Sequence, residues 1–299
     1  MCKRVELIFG ETYAILAAFC WALGASLYKK ASQDMPTLTF NLVRSTSVAI
    51  YSFLILFPLG SWNSFFKIDL NTIAIMGISS ILVLVAGDSL YFIGLKTIGV
   101  TKTVPITYSY SILVIFLSVL ILNENITLRI ILGTIAIILG VWLVANKTLD
   151  QPHSSNSSII GLLASLGTTL CWGLGVVLFK IILTNNNPFV LTAGRMVFLI
   201  PTLIVLSTLS HVRKPSKKKW TKNQLILALF SGLIALGIGD TLLYLGLYST
   251  NINVITPLTS TTPIFSAMIA ILFLGENMSK KIILGTILVT VGTMLLFIV

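Results

Sequence analysis

The chain has 299 residues, 56% of them hydrophobic and only 10% charged, with a formal net charge of +11 and a mean hydropathy of +0.99. Soluble domains carry about 25% charged residues, so a water-soluble globular protein is excluded. The positive charge sits in short segments that flank apolar stretches, which argues against nucleic acid as a partner and for membrane lipid.

A membrane span needs roughly 20 apolar residues. Helices of that kind are expected near 11–31, 37–58, 71–95, 100–122, 127–146, 159–183, 188–209, 223–247, 252–274 and 280–298. Lys3 and Arg4 precede the first stretch, but no small-residue cleavage site follows it, so it reads as part of the fold and not as a leader. Most intervening loops are too short to fold, which confines function to the interior of the bundle. The segment Lys147–Ser158 is rich in Ser and Asn and reads as a linker.

Residues 11–145 recur in 162–297. At an offset of 151, Cys20-Trp21 returns as Cys171-Trp172, Gly24 as Gly175, Lys29 as Lys180 and Arg44 as Arg195. At an offset of 152, Gly87-Asp88 returns as Gly239-Asp240, Gly94-Leu95 as Gly246-Leu247, Pro105 as Pro257, Glu124-Asn125 as Glu276-Asn277, Gly133-Thr134 as Gly285-Thr286 and Gly140 as Gly292. Each copy holds five stretches, an odd number, so the second must lie upside down in the bilayer relative to the first. The expected fold class is an all-α integral membrane protein of ten transmembrane helices in two inverted five-helix repeats, 1–146 and 159–299, joined by the linker 147–158. Inverted repeats are the architecture of alternating-access transporters.

Charged groups inside the bilayer cost about 2.5–3.5 kcal/mol each at a helix centre. Arg44, Asp88, Arg195 and Asp240 fall within expected spans, so they should face inward and pair. Counted from the helix ends, Arg44 and Asp88 both lie roughly 10 Å below one face, and Arg195 and Asp240 the same depth below the other. Two ion pairs follow, Arg44–Asp88 and Arg195–Asp240, as static clamps or as moving gates. This placement keeps the two aspartates in opposite leaflets. They are the acidic residues expected inside the bundle, and the candidate proton carriers if transport is coupled.

Lys29 and Lys180 end their spans, where snorkelling to the interface explains them. Thr103, Thr107 and Ser111 form a hydroxyl stripe beside Tyr108 and Tyr110, and Thr259, Thr262 and Ser266 continue it in the second copy. Pro105 and Pro257 near the starts of these helices free carbonyls that could face a cavity. The alternative is hydroxyls bonded back to their own helices. Trp21, Tyr91, Trp172 and Tyr244 could line a pocket for an organic molecule or simply pack. The pathway candidates are therefore Trp21, Arg44, Asp88, Tyr91, Thr107, Tyr110, Trp172, Arg195, Asp240, Tyr244, Thr259 and Thr262. Gly133/Gly140 and Gly285/Gly292 place small residues on one face of the fifth and tenth helices, suited to close packing. Glu124 and Glu276 lie at helix ends and read as capping groups. Cys2, Cys20 and Cys171 show no metal-ligand spacing, His153 and His211 sit in loops, and neither a metal nor a cofactor is expected.

The motifs LILNENITLRIILGTIAIILGVWLV and ILFLGENMSKKIILGTILVTVGTMLLF, which end the two copies, together with Cys-Trp in the first span and Arg in the second, resemble the EamA family of the drug/metabolite transporter superfamily. The resemblance covers almost the whole chain. It implies a multi-pass protein of the cell membrane that exports, or in some relatives imports, a small organic molecule by alternating access. It names no substrate. The Gly-Asp of the third and eighth spans is not a general family feature, so its role is not implied.

The expected function is a secondary transporter of a small organic metabolite, amino-acid-like or otherwise, or of a drug, and not an enzyme. No ATP-binding motif occurs, so a gradient drives it or the protein simply equilibrates its substrate. Spans 1–4 and 6–9 should surround the pathway, with 5 and 10 peripheral. An intramembrane aspartyl protease is the enzyme alternative, since Gly237-Ile238-Gly239-Asp240 reads GxGD. It would need two carboxylates sharing a proton, and the Pro-Ala-Leu motif that accompanies GxGD there is absent. A passive channel would need a filter loop, and none is evident. Monomer and homodimer are both open.

Arg213, Lys214, Lys217, Lys218, Lys219 and Lys222 cluster in one loop, with Lys29, Lys30, Lys96, Lys102, Lys147, Lys280 and Lys281 on the same face. The opposite face holds Lys3, Arg4, Lys67, Arg129 and Lys180. The positive-inside rule therefore puts the basic loop in the cytoplasm and both termini outside, although family members are usually drawn the other way round. A reporter that works only outside the cytoplasm should be active when fused at Val299. Activity of a cytoplasm-only reporter there would reverse the orientation without touching the fold.

Overall fold

A computed structural model describes residues 2–31, 35–98, 103, 106–145, 155–213, 220–274 and 280–297. Among them every regular element is helical. In chain order these are α1 (Cys2–Ala31), α2 (Thr37–Leu56), the short α3 (Trp62–Phe65), α4 (Leu70–Ser80), α5 (Asp88–Thr97), α6 (Tyr110–Leu122) and α7 (Leu128–Ala145). They continue as α8 (Ser155–Leu183), α9 (Pro188–Arg213), α10 (Lys222–Gly232), α11 (Asp240–Ser249), α12 (Ile252–Thr259), α13 (Thr262–Leu274) and α14 (Lys280–Phe297). Pro105, Glu276, His153 and most of the basic loop lie outside the described residues.

Among the described residues five helices are long and apolar enough to cross a membrane: Thr37–Leu56, Leu70–Thr97, Ile159–Leu183, Pro188–Val212 and Lys222–Ser249. Shorter apolar helices cover Gly10–Ala25, Ile106–Leu122, Leu128–Leu143 and Ile283–Leu296. The outer surface carries large apolar side chains such as Leu54, Phe57, Leu120, Leu163, Val205 and Met294. On a protein in water that much exposed hydrocarbon would demand a partner; here bilayer is the matching solvent. The interior, by contrast, holds Asn41, Arg44, Asp88, Arg195, Asp240 and many hydroxyls.

Three features depart from the expected elements. The stretch 252–274 is two helices broken at Ser260-Thr261, where the Ser260 hydroxyl donates to Tyr108 O at 3.0 Å. The third and eighth stretches are not uniform α-helices. Each passes through one π-helical segment, Ile81–Gly87 and Leu233–Gly239. In both, the aspartate that follows donates its backbone N–H to the carbonyl five residues back, Asp88 to Val83 and Asp240 to Ala235. Such segments widen the helix locally and recur at functional sites.

The halves are interleaved. α1 packs against α10, α11, α12, α13 and the second π segment, whereas α8 packs against α4, α5, α6 and the first. Each half thus lends its first helix to the other, so neither buries its core alone. The arginine-bearing α2 and α9 also pack together.

Polar side chains finish the helix ends. Asp69 caps α4, accepting from the Thr72 N–H at 3.0 Å and its hydroxyl at 2.6 Å, and those bonds hold its carboxyl below the usual range. Thr221 and Gln224 form a capping box on α10. Asn123 ends α6 with a left-handed φ of 53°, a conformation asparagine tolerates. Glu124 caps as expected, but at long range: it accepts the N–H groups of Ile252 and Asn253 at 3.1 and 3.2 Å. Lys180 does not simply snorkel. Its ammonium donates to Leu247 O and, at 2.8 Å, to Thr250 O. The break between α11 and α12 therefore has a cation on its carbonyl end and a carboxylate on its amide end, as the helix dipoles favour.

α7 and α14 run antiparallel in close contact. A Cβ on Gly140 would lie 2.6 Å from Gly285 O, and one on Gly292 would lie 2.7 Å from Gly133 O. Backbone cannot yield as a side chain tip can. Gly140→Ala should lower stability by about 1–3 kcal/mol, the scale of overpacking. Gly77→Ala, which meets only the Phe198 ring at 3.3 Å, should cost far less. Thermal unfolding of the solubilised variants compares them; equal losses would remove this packing role.

Candidate functional site

The site follows from the way the two repeated motifs dock. A Cβ on Gly87 would sit 2.6 Å from the Trp172 ring, and one on Gly239 would sit 2.9 Å from the Trp21 ring. Glycine therefore lets each indole lie against the helix of the other half. The neighbouring aspartate then accepts the indole N–H: Trp172 to Asp88 at 3.1 Å, Trp21 to Asp240 at 3.0 Å. The Gly-Asp and Cys-Trp motifs are the two sides of one contact, made twice and crosswise.

The arginines take up the same positions in each half but not the same partners. Arg44 Nη2 donates to Asp88 in a buried ion pair, and its Nε donates to Asn41 Oδ1 at 2.8 Å. Asn41 in turn donates to Leu84 O, in the π segment, at 2.6 Å. Arg195 makes no ion pair among the described residues. Its Nε donates to Ser80 Oγ at 3.2 Å, and its Nη2 is buried with no partner among the described residues. Asp240 instead accepts from Trp21 and, at 3.3 Å, from the Tyr244 hydroxyl. Both guanidinium groups lie over aromatic rings: Arg44 over Tyr28 and Phe92 at 5.1 and 5.0 Å, Arg195 over Phe179 and Tyr244 at 4.6 and 5.2 Å. Cation–π attraction adds about 0.5–2 kcal/mol per contact.

These groups surround one cavity of about 100 Å³, lined by residues of both halves. Of the twelve pathway candidates, Trp21, Arg44, Asp88, Tyr91, Tyr110, Trp172, Arg195, Asp240 and Tyr244 face it. Thr107, Thr259 and Thr262 are buried but do not line it. Thr262 bonds back to Thr259 O at 2.7 Å, and Thr259 bonds to Thr256 O at 2.8 Å and to the Tyr110 hydroxyl at 2.7 Å. These two threonines are the second row of the wall, bonded largely to carbonyls of α12. The ninth stretch supports the cavity through Tyr110 instead of facing it, and α7 and α14 supply no lining residue.

Sequence reasoning placed the two charge pairs near opposite membrane faces and kept Asp88 and Asp240 apart. In the structure all four charges line the same cavity. The depth estimate was not far off: groups about 10 Å below opposite faces of a core of about 30 Å are only about 10 Å apart along the normal, and the interleaved halves bring them together laterally. The second expected pair, Arg195–Asp240, is not formed. A third buried acid, Glu11, was also missed; it is 2% exposed and lies outside the cavity lining. Tyr28, Tyr108 and Phe179 line the cavity as well. Tyr28 and Phe179 were detectable, because they stand at the same 151-residue offset, each just before a repeated lysine.

Comparison with known proteins agrees with this architecture. A model of the EamA-like transporter family matches residues 8–146 and again 159–298. An uncharacterized transporter of Archaeoglobus fulgidus is 26% identical over 286 residues, covering 95% of this chain and 96% of its own. The uncharacterized transporter YoaV of Bacillus subtilis is 24% identical over 288 residues, covering 96% and 92%. A solved crystal structure superposes with a TM-score of 0.80 at 14% identity, covering 96% of this chain and 95% of that one, a likeness of fold. The chain belongs to the EamA-like transporter family.

The unequal pairing predicts unequal energetic coupling. Asp88→Asn should destabilise the protein more than Asp88→Asn combined with Arg44→Gln, because a lone buried charge is the costlier state. The coupling in a double-mutant cycle should reach about 1–3 kcal/mol. The same cycle on Arg195 and Asp240 should give clearly less. Thermal unfolding of the solubilised variants measures both; equal coupling at the two sites would contradict the geometry.

Proposed function

We propose that this protein is a secondary transporter that moves a small organic metabolite through the cavity by alternating access. Ten membrane spans form two inverted repeats in this reading, and the cell membrane is their location. The antiparallel contact of α7 with α14 and the crosswise Trp–Asp contacts support the inversion, since both relate the halves by a two-fold exchange. The observation that carries the proposal is the cluster of two arginines and two aspartates, contributed by both halves, around one ring-lined cavity in an otherwise apolar bundle. Buried charges of this kind are costly and mark substrate or ion paths. Export is the direction favoured by the family resemblance.

The difference between the halves supports a gating mechanism. Each Arg–Asp pair is read as a gate, closed on its own side and separated on the other. Arg44–Asp88 is closed and Arg195–Asp240 is apart, which is the arrangement a cycle between two mirrored states requires. Asp88 and Asp240 are the proton carriers of this scheme, because a carboxylate that loses its arginine can take up a proton instead. The protease reading gains nothing from their shared cavity. Asp88 is held by Arg44 and Trp172, and Asp240 by Trp21 and Tyr244, so each carboxylate has its own set of donors.

A metabolite-flux screen in liposomes with an imposed pH gradient tests transport and coupling together. Gradient-dependent flux of an organic solute is expected, reduced at least about tenfold by Asp240→Asn, on the scale of one lost charge-assisted contact. Gating is tested by cysteines at Ala25 and Val176, which line the cavity, in a background with Cys2, Cys20 and Cys171 replaced. Asp88→Ala and Asp240→Ala should change their labelling by an impermeant thiol reagent in opposite senses from the two sides. Identical labelling would make the pairs static clamps.

A further inference from the structure

Arg195 is a buried cation whose hydrogen-bonding capacity is left incomplete. It is 2% exposed, lines the cavity, and its Nη2 has no partner among the described residues. In the first half, the equivalent Arg44 is satisfied by Asn41 and Asp88. In the second, the position of Asn41 is taken by Thr192, whose hydroxyl is committed to Pro188 O at 2.8 Å. Asp240 is drawn aside by Trp21 and Tyr244. A buried guanidinium left this way is strongly disfavoured unless an anion completes it.

We propose that Arg195 anchors a carboxylate carried by the transported metabolite, with the metabolite's apolar or aromatic body against the rings of Trp21, Tyr110 and Trp172. The inference rests on the cavity being the substrate site. The Arg195 Nη2 lacks a partner among the described residues, and a carboxylate matches the planar fork of arginine. The ring wall offers an apolar body a surface of matching chemistry, as ligand pockets usually do. Asp240 and the ligand carboxylate compete for the same guanidinium in this assignment. Bound substrate therefore keeps Arg195 from pairing with Asp240.

Three probes of one shape test this on the solubilised full-length protein: 3-phenylpropionate, 3-phenylpropionamide and 3-phenylpropan-1-ol, titrated at matched ionic strength and followed by tryptophan fluorescence and thermal shift. The acid should bind about tenfold or more tightly than the amide or alcohol. Arg195→Gln should abolish that preference, and Arg195→Lys should reduce it. Asp240→Asn, which removes the competitor, should keep the preference and tighten the acid. Equal binding of acid and amide, no binding of the acid, a preference that survives Arg195→Gln, or weaker acid binding by Asp240→Asn would each overturn the assignment. Binding is read without a membrane, so such a failure with liposome flux intact overturns only the role of Arg195. Absent flux overturns the transporter reading itself.

Discussion

The structure depends on one constraint: four charged side chains must be held inside a bundle whose surroundings are hydrocarbon. Water cannot pair them, so the protein must. It does so with groups borrowed across the halves. Each aspartate takes an indole N–H from the other half's first helix, and glycine clears the space for that ring. Each arginine stacks over aromatic rings of its own half. The exchange of α1 and α8 between halves is what makes these contacts reachable, so the interleaved fold and the charged cavity are one arrangement.

Much of this was legible because the chain states it twice. The 151- and 152-residue offsets pick out Trp21/Trp172, Arg44/Arg195 and Asp88/Asp240 without any structure, and nine of the twelve candidates face the cavity. The offsets do not say which half a helix packs against. Counting depth along helices gave each Arg–Asp pair its own face, whereas the exchange of first helices gathers all four into one space. Thr259 and Thr262 do not line the cavity for a different reason. A threonine hydroxyl in a helix has a carbonyl of its own helix within reach, so polarity at helical spacing does not by itself indicate a face toward solvent. The π segments were not legible at all, since nothing in Ile81–Gly87 or Leu233–Gly239 distinguishes them by composition from ordinary apolar helix.

A second cross-half device lies away from the cavity. Glu124, from the end of α6, and Lys180, from α8, hold the two sides of the break between α11 and α12. Their ends of the break carry opposite partial charges, so each side chain meets the helix terminus that suits it. Glu124 was expected to cap its own neighbourhood. The sequence position of a carboxylate identifies a helix end close by, but not the helix end it serves, which here is some 128 residues away.

The differences between the repeats are as informative as the matches. Two perfectly equal halves would give each arginine the same partners. Asn41 against Thr192 and Ser80 against Gly232 break that equality at the guanidinium itself. Asn41 ties Arg44 to the π segment and presents it to Asp88. Ser80, from the first half, holds Arg195 by Nε alone and leaves its Nη2 open. At Gly232 a side chain has no room, because a Cβ there would strike the backbone of Arg44. The first half is thus built to keep its pair closed and the second to leave its arginine available. In the proposed cycle that bias sets which gate rests shut and where an anionic group finds an unmet cation. A few unmatched side chains would then decide how the two states of that cycle differ.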